Sequence, residues 1–147
     1  MTPRLLDNLR LKRAYDLISD KLASVEEELL LHFRSPIPTI DRIGAYLAQG
    51  GGKRIRPALL LLSAKLLGYD SRDGDKDVRY AAVIEFLHTA TLVHDDIIDE
   101  ARLRRGRTSA NARWGNNLTV LFGDYLYTMS MGIALDEGDL TILKVLS

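Results

Sequence analysis

The sequence predicts an all-α protein, and three features of its pattern support that prediction. Apolar residues recur every three to five positions over long stretches, as they do in amphipathic helices. Proline and glycine clusters interrupt these stretches at points where helices would end. No stretch combines the strict alternation of a strand with the turn residues of a hairpin. We therefore expect a bundle of helices without a sheet.

The first half of the chain is expected to form three helices. An amphipathic pattern between residues 5 and 30 predicts the first, which ends before Pro36 because the residue preceding a proline avoids helical angles. Thr39 is a suitable N-cap for a second, short helix that reaches Gln49 and is broken by glycines 50–52. Pro57 fits the first turn of a third helix, which is expected to stop at Gly68.

The second half of the chain is expected to continue as helices. A polar loop at residues 71–75 precedes a long helix from Asp77 to about residue 100, and a basic loop follows at residues 102–108. A short helical turn at 109–114 leads to helices at 117–135 and 139–146. The segments Ala58–Leu67 and Val78–Val93 are apolar on most faces, so we expect both to be buried among other helices.

The composition fits one domain of ordinary size and excludes several classes of function. The 147 residues are 46 % apolar and 27 % charged, with 20 basic residues against 20 acidic ones, which argues against a general nucleic-acid binder. The absence of cysteine excludes disulfides and thiolate metal sites. The longest apolar run, residues 58–67, is too short to span a bilayer, and residues 1–13 lack the apolar core of a signal peptide. We therefore expect a cytoplasmic protein without a transmembrane segment.

An acidic cluster lies at the end of the long helix. It contains Asp95, Asp96, Asp99 and Glu100. Asp95 and Asp99 are four residues apart and share one helix face, with His88 on nearly the same stripe. Carboxylates are unfavourable near a helix C-terminus, so we expect a compensating cation, which is either a metal ion or neighbouring arginines. Oxygen ligands select Mg²⁺, Mn²⁺ or Ca²⁺, and Mg²⁺ commonly combines one or two carboxylates with water and phosphate oxygens.

Two basic segments accompany the acidic cluster. In Gly50–Pro57, glycines let the backbone approach a ligand closely and a helix N-terminus favours an anion, although the spacing is not that of a nucleotide-binding P-loop. In Arg102–Arg107, arginines suited to forked contacts with phosphate begin three residues after Asp99. The first segment could instead be an exposed turn between two helices. The second could instead form an internal salt-bridge network. Taken together, the three segments suit an apolar molecule with a diphosphate head.

Four motifs resemble those of the trans-prenyl diphosphate synthases, in the same order and at compatible spacing. They are Gly51–Pro57, Leu92–Asp99, Arg104–Gly106 and Gly123–Tyr125, and they are most similar to the bacterial octaprenyl and solanesyl diphosphate synthases. The resemblance implies an isoprenoid synthase-type helical bundle and a Mg²⁺-dependent condensation of isopentenyl diphosphate with an allylic prenyl diphosphate. The allylic C–O bond ionises, the double bond of isopentenyl diphosphate attacks the resulting cation, and proton loss restores an alkene.

The resemblance also implies roles for individual residues. Asp95 and Asp99 match direct Mg²⁺ ligands, Asp96 matches an auxiliary ligand, and Arg104 matches a contact to the allylic diphosphate. These four residues form the expected catalytic set. The residues that match the isopentenyl diphosphate site are Lys53, Arg56, His88 and Arg105.

Product length in this family is limited by the side chains just before the first Asp-rich motif. Here these residues are Ala90 and Thr91, and both side chains are small. Bulky aromatic residues at these positions would block chain growth, so the resemblance implies a medium-chain or long-chain polyprenyl diphosphate as the product.

The sequence departs from the family, because the second Asp-rich motif and the later Lys-Thr and lysine contacts of the family are absent. Asp136–Asp139 lacks the spacing of that motif. We therefore expect residues 1–147 to be the N-terminal portion of one polyprenyl synthase domain, with little or no activity alone. Family members are usually homodimers, so we expect a dimer or an association with a full-length synthase. The alternatives are a non-catalytic partner subunit and a class I terpene cyclase, which would not need Lys53, Arg56 and Arg105.

Overall fold

The computed structural model describes residues 3–69 and 74–147. Over that part of the chain it contains eight helices and one hairpin: α1 (Pro3–Asp16), α2 (Ser19–Phe33), α3 (Pro38–Ala48), α4 (Ile55–Leu66), α5 (Lys76–Ile98), β1 (Leu103–Arg104), β2 (Arg107–Thr108), α6 (Ala110–Trp114), α7 (Asn116–Asp136) and α8 (Leu140–Leu146). The predicted all-α class is confirmed. The predicted polar loop at 71–75 lies mostly outside the described residues.

Helix α5 is the central helix and packs against α2, α4 and α7. Its side chains Val83 and Phe86 are fully buried, and Leu126 is buried opposite them on α7. The ring of Phe86 meets the ring of Phe33 from α2 edge to face, with the centroids 5.3 Å apart. The apolar segment Val78–Val93 is therefore mostly buried, as its composition predicts.

Helix α4 lies at the periphery and differs from the prediction. Only the side of α4 that carries Pro57, Ala58 and Leu61 reaches the core. On the outer side, Leu59 is 60 % exposed and Leu66 is 86 % exposed. The expectation that all of Ala58–Leu67 is buried is therefore wrong, because α4 has neighbouring helices on one side only among the described residues.

The long amphipathic pattern near the N-terminus forms two helices rather than one. Helix α1 ends at Asp16 and α2 begins at Ser19. Between them Ile18 is buried in the core, whereas Leu17 is exposed. No proline or glycine marks this break, so it follows from the packing of Ile18 and not from a local breaker signal.

The basic loop closes as a short hairpin, which corrects the expectation of a fold without any sheet. Leu103 pairs with Thr108 and Arg104 with Arg107 in antiparallel register. The two residues between the strands have positive φ angles, 51° at Arg105 and 76° at Gly106. A two-residue type I′ turn requires this sign of φ at both positions. Strands of two residues are too short to show an alternating pattern.

Helix α7 approaches α5 closely at Gly123. A Cβ atom at this position would overlap the imidazole of His94, whose Nε2 lies 3.2 Å from the carbonyl oxygen of Val120. Within the described part of the chain, α7 is also the one helix long and apolar enough to cross a membrane. A core helix passes the same test of length and composition, and α7 packs along α5.

Candidate functional site

The Gly-rich segment reverses the chain between α3 and α4. Gly51 has a φ angle of 57°, and Arg54 has φ 48° and ψ 43°. Both are in the left-handed region, which glycine adopts readily and arginine rarely does. Helix α4 starts at the next residue, Ile55. This path leaves the side chains of Lys53 and Arg56 exposed at the start of the helix.

Side chains from three helices hold the Gly-rich segment in place. The hydroxyl of Tyr15 on α1 donates a hydrogen bond to the carbonyl oxygen of Lys53, at 2.6 Å. The guanidinium of Arg54 donates to Glu26 on α2 and to Glu85 on α5. The hydrogen bond to Glu26 raises the pKa of Arg54 above its ordinary value, although burial opposes this effect. The segment is therefore tied to α1, α2 and α5.

The three aspartates at the end of α5 have two different environments. Asp95 and Asp99 are exposed, and no hydrogen bond or ion pair is formed by their carboxylates within residues 3–69 and 74–147. Asp96 is 4 % exposed, and its two carboxylate oxygens accept from Nε of Arg104 at 2.8 and 2.7 Å. An arginine thus compensates Asp96, whereas Asp95 and Asp99 are available to a metal ion.

The residues before this cluster divide between an exposed face and the core. His88 and Thr91 are accessible on α5, and the Thr91 hydroxyl donates to the carbonyl oxygen of His88 at 2.8 Å. Asp95 continues this face one turn further on. Ala90 is instead buried in the core. Of the two residues predicted to control product length, the structure brings only Thr91 to the accessible face.

Tyr46 on α3 anchors the hairpin. The guanidinium groups of Arg107 and Arg113 lie 4.3 and 4.5 Å from the centroid of its ring, within the range of cation–π contacts. Its hydroxyl donates to the carbonyl oxygen of Thr108 at 2.7 Å. The ring of Trp114 meets it edge to face, with the centroids 5.1 Å apart. These contacts fix the hairpin against α3.

Five basic side chains from three separate segments line one pocket of about 410 Å³. They are Lys53, Arg54, Arg56, His88 and Arg105. Arg105 also donates a hydrogen bond to the carbonyl oxygen of Gly51, so the hairpin turn contacts the Gly-rich segment. The pocket therefore contains each of the residues that match an isopentenyl diphosphate site.

An apolar cavity of about 90 Å³ adjoins this pocket. It shares His88 and Arg105 with the pocket and extends to Asp96 and Arg104. Side chains of α2, α3 and α5, such as Phe33, form its apolar walls. A charged head group and an apolar chain could thus be bound side by side.

The electrostatics of the pocket favour an anion. Burial lowers the pKa of His88 below its ordinary value, and the positive charge of Arg56 lowers it further. Arg105 and Arg104 act in the same direction, and Glu85 opposes them in part. The imidazole is therefore neutral near pH 7 and surrounded by cations, which stabilise negative charge placed beside it.

The chemistry of the exposed carboxylates fits Mg²⁺. Within the described residues, no three histidine or acidic side chains form a group that could hold a metal ion by themselves. Asp95 and Asp99 offer two carboxylates one helical turn apart. Mg²⁺ is commonly held by one or two carboxylates and completes its coordination with water and substrate phosphates.

Two features of the site were not identified from the sequence. One is the ion cluster of Glu26, Arg54 and Glu85, and the other is the set of contacts around Tyr46. Glu85 did carry a signal, because a carboxylate within an apolar, buried helix needs a cationic partner. The role of Tyr46 depends on contacts more than sixty residues away along the chain, which no local pattern indicates.

Comparisons with known proteins place the chain in context. The model of the family described as polyprenyl synthetase matches residues 37–147. Octaprenyl diphosphate synthase from Escherichia coli is 41 % identical over 139 residues, which are 95 % of this chain and 42 % of that protein. Heptaprenyl diphosphate synthase component 2 from Geobacillus stearothermophilus is 40 % identical over 139 residues, with the same two shares of 95 % and 42 %.

The fold is shared with solved structures as well. The polyprenyl synthase from Caulobacter crescentus, crystallised with calcium and isoprenyl diphosphate, matches with a TM-score of 0.85 and 33 % identity. The match covers 92 % of this chain and 40 % of that one. The chain spans about 42 % of the length of the curated relatives named above. Sequence and fold comparisons thus agree with the four motifs.

Proposed function

This chain belongs to the polyprenyl synthetase family, and we propose that it supplies the substrate-binding face of a trans-polyprenyl diphosphate synthase. The proposed reaction joins isopentenyl diphosphate to an allylic prenyl diphosphate. The observation that carries the proposal is the convergence of Lys53, Arg56, His88 and Arg105 on one pocket. A terpene cyclase binds no isopentenyl diphosphate and would have no use for this pocket.

The basic pocket is proposed to bind isopentenyl diphosphate. Lys53 and Arg56 present exposed cations at the start of α4, and Arg105 presents another from the hairpin turn. Charge-assisted hydrogen bonds from such groups to phosphate oxygens are about twice as strong as neutral ones. The neutral imidazole of His88 can donate a further hydrogen bond. The apolar tail would then extend toward the adjoining cavity.

The allylic diphosphate is proposed to bind at the acidic end of α5. Asp95 and Asp99 would hold Mg²⁺, which when bound supplies Lewis-acid stabilisation of the leaving diphosphate. Arg104, oriented by Asp96, adds a fixed positive charge beside it. As the allylic C–O bond breaks, diphosphate leaves with the bonding pair, and the alkene of isopentenyl diphosphate attacks the allylic carbon. The apolar walls exclude water, which would otherwise capture the cation.

The product is proposed to be a medium-chain or long-chain all-trans polyprenyl diphosphate. The small side chain of Thr91 leaves the accessible face of α5 unobstructed. The names of the relatives from Escherichia coli and Geobacillus stearothermophilus refer to octaprenyl and heptaprenyl products. The side chain of Ala90 is buried in the core and does not line this face.

The chain is also proposed to associate with another chain through α7. Leu118, Leu121 and Leu135 share one side of α7. Leu121 is 63 % exposed and Leu135 is 56 % exposed on this side. The partner is a second copy or a full-length synthase, and sedimentation velocity with and without the synthase tests both.

Two further predictions remain proposals: that residues 1–147 are the N-terminal portion of one synthase domain with little activity alone, and that the protein is cytoplasmic. The share of the relatives that the chain spans, 42 %, supports the first. The relative from Geobacillus stearothermophilus is named component 2 of its enzyme, which supports an association of this chain with a partner subunit. Robust elongation of farnesyl diphosphate by the purified chain would contradict the expected lack of activity.

The metal assignment can be tested by removing both exposed aspartates. We expect Asp95→Ala with Asp99→Ala to abolish the Mg²⁺-dependent part of inorganic pyrophosphate binding in calorimetric titration. The matched control, Glu27→Ala with Asp136→Ala, removes the same charge from two exposed helical positions away from the site. An unchanged affinity in the first variant would contradict the assignment of the metal. Titration with isopentenyl diphosphate separates the synthase from a cyclase, since only a synthase loses affinity when Lys53 is replaced by alanine.

A further inference from the structure

An ion cluster forms part of the wall of the basic pocket, which Arg54 and Glu85 both line. Nε and Nη2 of Arg54 donate to the two carboxylate oxygens of Glu26, at 2.5 and 3.0 Å, and Nη1 donates to Oε1 of Glu85 at 3.0 Å. The three side chains come from the Gly-rich segment, α2 and α5. Arg54 and Glu85 have side chains only 13 % and 10 % exposed. Each nitrogen of the guanidinium is therefore already engaged by a carboxylate.

The cluster holds the backbone of Arg54 in a costly conformation. Arg54 has φ 48° and is the residue that immediately precedes α4. An arginine in the left-handed region costs about 1 kcal/mol or more relative to its preferred conformations. Because Lys53 and Arg56 flank this residue, the turn at Arg54 decides where both side chains emerge. The ion pairs compensate the cost and fix that direction.

The cluster also removes negative charge from the pocket. Glu85 lines the same pocket as Lys53 and His88, so an unpaired carboxylate there would repel a diphosphate. Arg54 neutralises Glu85 and leaves the other cations of the pocket to the ligand. A direct contact between Arg54 and the ligand would require it to leave at least one of these carboxylates unpaired.

We propose that Arg54 is a positioning residue of the diphosphate pocket, which acts through Lys53 and Arg56 by means of its bonds to Glu26 and Glu85. The inference rests on the proposed function, because it concerns the pocket assigned to isopentenyl diphosphate. Arg54 thus joins the residues proposed to bind the diphosphate, as a residue that holds their cations in place.

Titration with inorganic pyrophosphate in the absence of Mg²⁺ tests the proposal, because the exposed aspartates cannot contribute to binding of the anion without a metal ion. Arg54→Lys keeps the charge but loses the fork, and we expect it to weaken binding about tenfold. Arg13→Lys, at an exposed position on α1, is the matched control and should bind as the wild type does. Glu26→Gln is a milder variant, since Glu26 is 41 % exposed, and should weaken binding about threefold.

A double-mutant cycle tests whether Arg54 acts through Lys53. If Arg54 acts through Lys53, Arg54→Lys should have a smaller effect in a Lys53→Ala background than in the wild type. Equal effects in both backgrounds would show that Arg54 does not act through Lys53 and would overturn the proposal. Hydrogen exchange supplies an independent readout, in which Arg54→Lys should accelerate exchange at the amides of residues 50–54 without changing that of α7.

The outcomes also separate this proposal from the proposed function. Binding that is lost in Lys53→Ala but unchanged in Arg54→Lys and Glu26→Gln overturns the role of Arg54 and leaves the diphosphate pocket intact. Wild-type chain that fails to bind pyrophosphate, or binds it equally well after Lys53→Ala and Arg56→Ala, overturns the pocket assignment, and the role of Arg54 is overturned with it.

Discussion

The two basic segments each contain an arginine in the left-handed conformation, for different reasons. Arg54 in the Gly-rich segment has φ 48°, and Arg105 in the hairpin has φ 51°. Arg54 is held by ion pairs to two carboxylates and is largely buried. Arg105 occupies the first central position of a two-residue turn, is exposed, and contacts the carbonyl oxygen of Gly51. Side-chain bonding thus accounts for the first conformation, and the geometry of the turn requires the second.

The Gly-rich segment and the hairpin form two walls of the basic pocket. These walls differ in how their arginine side chains, Arg54 and Arg105, are bound before a ligand arrives. One wall is tied by charged hydrogen bonds to α2 and α5. The other presents Arg105, whose hydrogen bond to the carbonyl oxygen of Gly51 can be exchanged for a bond to a phosphate. Ligand binding at the hairpin therefore exchanges the hydrogen-bond partner of Arg105, whereas the Gly-rich wall is preorganised.

The largest expected effect comes from Arg54→Asn. Asparagine tolerates the left-handed conformation, so the cost arises from Glu85, which loses its cation while its side chain is only 10 % exposed. We expect the free energy of unfolding to fall by about 3 kcal/mol, as measured by urea denaturation near pH 7.5. Arg56→Asn is the control, because Arg56 is exposed and forms no ion pair within the described residues, and it should change stability by about 0.5 kcal/mol or less. A similar small loss for Arg54→Asn would mean that its ion pairs contribute nothing.

The helices and the grouping of four basic residues could be predicted from the sequence. The long helix was expected from Asp77 to about residue 100 and extends from Lys76 to Ile98. It could be predicted because its apolar pattern is long and a polar loop precedes it. Lys53, Arg56, His88 and Arg105 were assigned together from motifs, and they line one pocket. A motif records which residues share a task even when they are far apart in the chain.

The remaining features depend on tertiary contacts that leave little trace in the sequence. The break between α1 and α2 depends on the burial of Ile18, and the hairpin has strands too short to show a pattern. Asp96 and its neighbour Asp95 are chemically identical in the sequence, yet one is buried against Arg104 and the other is exposed. Arg54 is likewise indistinguishable from Arg56 until α2 and α5 are packed beside it.

An effect of intermediate size is expected from His88, which contributes to the pH dependence of anion binding. This residue lies between the two walls of the pocket. Its pKa is lowered by burial and then by Arg56 from one wall, and also by Arg105 and Arg104 from the other. A bound diphosphate would oppose these cations and raise the pKa of His88, so binding should take up a proton. The protonated imidazole then favours the anion, and affinity should rise as the pH falls from 8 toward 6. The contribution of His88 to stability has the opposite sign, since the folded state favours the neutral ring and loses stability as the pH falls through the unfolded pKa of about 6.5.

Pyrophosphate itself takes up protons in this range, so the measurement needs a reference protein. We expect the affinity ratio of the wild type to His88→Gln to increase by about fivefold between pH 8 and pH 6, with proton uptake seen as a dependence of the calorimetric heat on the buffer. His32→Gln on α2 is the control for a histidine away from the pocket. A ratio that does not change with pH would show that His88 is not coupled to the bound anion.

The smallest expected effect is that of Arg105→Asn, and its sign differs from that of Arg54→Asn. The sequence Asn-Gly is preferred in type I′ turns, because asparagine accepts positive φ more readily than arginine does. The loss of the exposed contact to Gly51 costs little, so we expect a gain of about 0.5 kcal/mol in the free energy of unfolding. Pyrophosphate binding should weaken in the same variant, because one of the cations that line the pocket is removed. If Arg105→Asn instead destabilised the protein as strongly as Arg54→Asn, both arginines would be structural anchors, and the pocket would have two preorganised walls rather than one.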